Sequence, residues 1–136
     1  MRSVVLIAAM ALAAPLMGGD LPIAIQAKFV KILVSTMNST GKVYVKDSKM
    51  IDELKPMGVA ADDASKVAWA SSEAEVKHFK ASGKLVICGK LEWLAQGGAV
   101  AIVEENGKPQ IYLHMGNIAG SGVTVSDAVL RIAKRM

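Results

Sequence analysis

Two unbroken apolar runs, residues 85–88 (LVIC) and 99–103 (AVAIV), are too short for helices and rich in β-branched side chains, which predicts strands covered on both faces. Asn106-Gly107 follows the second run and predicts a two-residue hairpin turn, folding residues 111–115 (IYLHM) back antiparallel to it. Pro109 opens that returning strand and puts it at or near an edge. Upstream, residues 21–37 carry Ile25, Phe29, Ile32, Leu33 and Met37 at helical spacing, with Gln26, Lys28, Lys31 and Ser35 on the other side. Residues 42–46 (KVYVK) alternate as a strand. Asp47 or Ser48 then caps a helix that buries Met50, Ile51 and Leu54 and ends near residues 56–58. Residues 67–70 read as a short strand. Ser72 and Glu75 form a capping box for a helix that buries Val76 and Phe79 and closes at Gly83.

Beyond the hairpin, residues 116–122 read as a turn-rich connection with at most one helical turn. Ser126 caps a last helix whose inward face is Val129, Ile132, Ala133 and Met136, with Arg131, Lys134 and Arg135 complementing its negative end. Strand and helix alternate three times before the hairpin. The expected fold is therefore α/β: a single mixed, mostly parallel sheet with helices on both faces and a C-terminal antiparallel hairpin.

The first residues change the picture of where this domain works. Arg2, an apolar run over residues 4–17 and small residues Gly18 and Gly19 before Asp20 describe a secretory signal peptide over residues 1–19. The run is shorter than the roughly 20 residues a spanning helix needs. Residues 20–136 are then one exported domain. Its single cysteine, Cys88, has no intrachain partner and lies in an apolar strand, so an inert buried thiol is expected. A net charge of +4 spread along the chain is ordinary solubilising charge and gives no argument for nucleic acid.

Candidate chemistry is sparse. There is no G-x-S-x-G elbow, no H-E-x-x-H and no phosphate loop, since Gly120-Ser121-Gly122 lacks a following lysine. Glu104 and Glu105 border the hairpin turn and are expected to face water. His114 and Met115, as neighbours on a strand, point to opposite faces, and His78 stands among lysines on a solvated helix face, so neither a metal site nor a cofactor is expected. A small ligand would lie beyond the carboxyl ends of the parallel strands, where crossovers diverge. Ser71, Gly89, Lys90 and Trp93 follow those ends and are the candidates, although Trp93 and Leu94 also suit a core role, as does Trp69. For a protein partner, the outer margin of the hairpin strand offers Gln110, Tyr112 and His114 on one side, unless a terminal helix covers it.

The ordered features of residues 84–135 resemble the YfiR/HmsC-like family of small periplasmic proteins. They are a strand, a short link ending in Gly97-Gly98, AVAIV, a turn, IYLHM, then NIAGSGVTVS and the helix DAVLRIAKR. The opening PIAIQAKFVKIL is similar to that family's first helix. The resemblance implies a non-enzymatic regulator that binds the periplasmic domain of an inner-membrane signalling protein, such as a diguanylate cyclase or sensor kinase, and restrains it, linking envelope conditions to cyclic di-GMP. His114 stands where many relatives have asparagine, and the cysteine pairs of some members are absent. The expected function is an exported regulatory binding protein, with a homodimer among its arrangements; the alternative is a small solute-binding protein serving a membrane receptor or transporter.

Overall fold

The computed structural model describes residues 21–37 and 41–136; the predicted signal peptide lies outside the described residues. One sheet organises them. Its strands are β1 (Lys42–Val45), β2 (Ala60–Ala61), β3 (Val67–Ala70), β4 (Leu85–Cys88), β5 (Val100–Glu105), β6 (Lys108–Leu113) and β7 (Lys134–Arg135), in the spatial order β2-β1-β3-β4-β5-β6-β7. Every neighbouring pair is parallel except β5 and β6. The mixed, mostly parallel sheet expected from the sequence is therefore present, and residues 85–88 and 99–103 are neighbouring extended segments: Ile87 pairs with Val100 and Cys88 with Ala101. All of β3 and β4, and the first four residues of β5, are buried. Their continuous apolar runs have that cause, since helices cover both faces.

The helices are α1 (Ile23–Met37), α2 (Ser48–Leu54), α3 (Glu73–Ala81), α4 (Met115–Ser121) and α5 (Asp127–Ile132). Alternate strand residues feed two cores. Val43, Val45, Val67, Trp69, Leu85, Ile87, Val100, Ile102, Ile111 and Leu113 meet α1, α2, α4 and α5 on one face. Ala68, Ala70, Val86, Cys88, Ala101 and Val103 meet α3 and the 3₁₀ segment Leu91–Gln96 on the other. The caps of α2 and α3 fall where the polar residues before them predict. The Asp47 carboxylate accepts from Lys49 N at 3.1 Å and Ser72 Oγ from Glu75 N at 3.2 Å. Glu75 reaches back one residue further than a capping box would, to Ser71 N at 2.9 Å.

The structure corrects four expectations. Helix α1 is rotated: Gln26, Ala27, Val30, Leu33 and Val34 are buried, while Ile32 is 48% exposed and Ile25, Phe29 and Met37 are half-buried. Apolar residues lie nearly all round this helix, so pattern alone did not fix its rotation, and small Ala27 permits close approach to the sheet. The strand IYLHM ends at Leu113; His114 is the N-cap of α4 and Met115 its first residue. Residues 115–121 form a helix of about two turns where a turn-rich link was expected; the His114 ring accepts one of its first donors, Asn117 N. The last helix stops at Ile132, with Ala133 extended, so Ile132 and Met136 are exposed and Lys134–Arg135 pair with Tyr112 and Leu113. Edge pairing with β6 outweighs helix continuation there, and Met136 N closes it with a 2.8 Å bond to Leu113 O.

Strand β2 is joined to β3 by residues 62–66, with no helix between them. Ser65 Oγ donates to Lys42 O at 3.0 Å, and Lys84 Nζ donates to Ser65 O at 2.5 Å and to Asp63 O at 3.2 Å, fastening this link to β1 and β4. Tyr44 lies beside it on the face that α3 covers, its ring 5.0 Å from that of Phe79. The ammonium groups of Lys84 and Lys46 stand 5.0 and 6.0 Å from the Tyr44 ring.

Candidate functional site

After β1 the chain turns into α2, which packs on one face of the sheet; after the adjacent β3 it turns into α3, which packs on the other. A crevice must open between the carboxyl ends of two strands whose crossovers leave in opposite directions. A cleft of about 190 Å³ lies at this point. Asp47 enters it from the end of β1, Trp69, Ala70 and Ser71 from β3, and Gly89 and Lys90 from β4. Trp93 comes from the 3₁₀ segment, and Leu21, Ile23 and Gln26 close the cleft from the start of α1.

All four residues predicted for a ligand site, Ser71, Gly89, Lys90 and Trp93, line this one cleft. Lys90 Nζ stands 5.9 Å from the centre of the Trp93 ring, so the wall joins a cationic group to a flat apolar surface. Gly89 leaves room for the end of the Gln26 side chain: a Cβ there would lie 2.4 Å from Gln26 Nε2, which would have to swing aside, and 3.5 Å from Trp69. Trp69 is 3% exposed, and its indole Nε1 is buried with no hydrogen-bond partner. Buried polar groups are nearly always paired, so an orphaned donor in a cleft wall calls for an explanation. Gln26, Asp47 and Trp69 were read from the sequence as an outer-face residue, a cap and a core residue. Asp47 and Trp69 hold those roles as well as lining the cleft. A signal for Gln26 existed: it is the polar residue nearest the start of a helix otherwise opened by apolar residues.

The residues predicted for a partner are arranged differently. Gln110 and Tyr112 lie on β6, but His114 does not. The outer margin of β6 is covered in part by β7, and Gln110 Nε2 donates to Ile111 O at 3.0 Å and to Ile132 O at 3.4 Å. The Tyr112 hydroxyl donates to the Glu105 carboxylate, which also accepts from Lys134 Nζ at 2.6 Å. Those bonds, Lys134 first, hold the Glu105 carboxyl below its ordinary range, and the same contact raises Tyr112 and Lys134. Glu105 thus pins β7 to the hairpin, where the sequence suggested a solvated acid.

Burial pushes the Cys88 thiol up to about 12, as expected for an inert core cysteine. Among the described residues, no three His, Cys, Asp or Glu side chains gather in a way that could hold a metal ion. Nor is any described helix long and apolar enough to cross a membrane.

No family model matches the chain, and neither does any curated protein, so the resemblance to the YfiR/HmsC-like family rests on the ordered motifs alone. Solved structures do share the fold. A conserved domain protein from Vibrio cholerae O1 biovar El Tor is 12% identical with a TM-score of 0.60, the match covering 85% of this chain and 60% of that one. An ABC domain from Streptococcus pneumoniae, solved in complex with L-Trp, is 10% identical with a TM-score of 0.56, covering 84% of this chain and 60% of that one. The chain thus spans about 60% of the length of each, and what it shares with them is the α/β architecture.

Proposed function

We propose that this chain is an exported binding module that holds a compact ligand in the β1/β3 cleft. Its occupancy would set the module's grip on the periplasmic domain of an inner-membrane signalling protein, such as a diguanylate cyclase or sensor kinase. The observation that carries the ligand half is the convergence of Ser71, Gly89, Lys90 and Trp93 on one crevice at the point where the crossovers part. The orphaned Trp69 donor supports it. Size limits the ligand: an apolar cavity of about 150 Å³ admits benzene, so this cleft suits a molecule of about one ring with a small polar substituent. The partner half follows from the family resemblance and from the signal-like residues 1–19.

The chain holds two tryptophans and both line the cleft, so intrinsic fluorescence reports occupancy directly. A library of ring-sized metabolites should yield a compound that changes this emission and, at about a hundredfold excess over Kd, stabilises the fold by about 2.7 kcal/mol. Gly89→Val, which fills the approach to Gln26, should abolish both responses while leaving the fold intact. If no compound acts on the wild-type chain, the ligand half fails. Affinity purification from detergent-solubilised envelopes tests the partner half. Recovery of a transporter or outer-membrane receptor in place of a signalling protein would move the reading to a small solute-binding protein.

A further inference from the structure

We propose that His114 is a proton-operated clasp on α4 and that its state sets how firmly the Trp93 wall of the cleft is held; this rests on the reading of that cleft as a ligand site. His114 Nδ1 accepts the N–H of Asn117 at 3.0 Å, capping a helix whose first turn holds no acidic residue. A ring that accepts at Nδ1 carries its proton on Nε2. A second proton removes the accepting lone pair and sets positive charge at the positive end of the helix dipole. The clasp is therefore closed when the imidazole is neutral and opens when it is charged.

Asn117 links the clasp to the cleft. Its Nδ2 donates to Leu94 O at 3.1 Å and to Gly98 O at 2.9 Å, tying down the segment that carries Trp93, while Gly98 N donates to Trp93 O at 3.0 Å. A groove of about 560 Å³ beside the imidazole is lined by Glu92 and Met136, giving a proton access from solvent. Charged groups stand on three of the described elements packed around the ring. Glu92 lines the same groove, Arg135 lies opposite Leu113 in β7, and Lys80 stands against Gly120 of α4. Helix α4 carries no charged residue of its own. Acidification therefore removes the cap at Asn117 N and loosens the helix start from which Asn117 Nδ2 holds the Trp93 segment.

The test uses the mature chain with Trp69→Phe, so that emission comes from Trp93 alone. Amide-exchange protection of Asn117 and Trp93 emission are followed from about pH 8 to about pH 5, the span over which histidines change charge. Asn117 protection should fall about fivefold, the effect of a lost capping residue. Emission should change with the same midpoint, and that midpoint should match the titration of the His114 imidazole read by NMR. His114→Asn keeps a capping oxygen and should flatten both profiles; His78→Asn, at the chain's other histidine, should leave them unchanged. Profiles that survive His114→Asn, or that follow His78, overturn the proposal. Neither readout needs a ligand, so the clasp and the ligand reading can fail separately.

Discussion

A Cβ added at Gly98 would stand 3.0 Å from Cys88 Sγ and 3.1 Å from the Trp93 carbonyl oxygen. The crowding atoms there are a buried thiol and backbone, which cannot swing aside. Gly98→Ala should therefore cost about 1–3 kcal/mol, as overpacked cores do, read as a lower urea midpoint with an unchanged slope. At Gly89 the clashing atom is the far end of the Gln26 side chain, so the same substitution should cost much less. The sequence marked Gly89, Lys90, Ser71 and Trp93 because each follows the end of a strand, and position along the chain is enough to find such residues. It did not mark Gln26, whose approach to the cleft depends on the rotation of α1. Nor did it distinguish a tryptophan that is only core from one that is also a cleft wall, as Trp69 is.

Elements held in part by an ion pair respond to pH differently from those held by packing alone. The Glu105 carboxyl, depressed below its ordinary 4.5 by Lys134 and then Tyr112, contributes to holding β7 only while ionised. A depressed carboxyl gives stability that is present above the unfolded value and is lost as pH falls through the folded one. Exchange protection at Met136 N, the amide bonded to Leu113 O, should accordingly drop below pH 4.5, and Glu105→Gln should remove that step while leaving the rest of the sheet protected. This strand was not legible in the sequence: Lys134 and Arg135 suit a helix end as well as an edge, and the deciding contact comes from Glu105 on another strand. Strands β3, β4 and β5 were legible because burial on both faces writes a continuous apolar run. The hairpin was legible because Asn106 and Gly107 both take positive φ, 55° and 79°, which few other pairs tolerate. Helix α4 was hidden by Gly116 and Gly120 and by a histidine at a capping position usually filled by Ser, Thr, Asp or Asn.

Across the whole molecule the two cores are unequal. The face under α1, α2, α4 and α5 holds many large aliphatic side chains, whereas the other face rests on alanines, a cysteine and a few large groups. Phe79 is the largest fully buried side chain and stands on that thinner side. Phe79→Ala should cost about 3–5 kcal/mol, a large part of the roughly 5–15 kcal/mol that holds a domain together. Ile132→Ala, on a side chain 62% exposed, should change stability by no more than about 0.5 kcal/mol in chemical denaturation.

The link between β2 and β3 has a consequence at this scale too. Where a crossover helix would roof the outer part of the sheet, Lys46 and Lys84 reach over Tyr44 instead. A helix roofs a ring with its buried face; here Lys84 covers it while its ammonium stays bonded to the Ser65 and Asp63 carbonyls. Lys84→Met should therefore uncover the Tyr44 ring and loosen the β2–β3 link together, with the sheet beneath them intact.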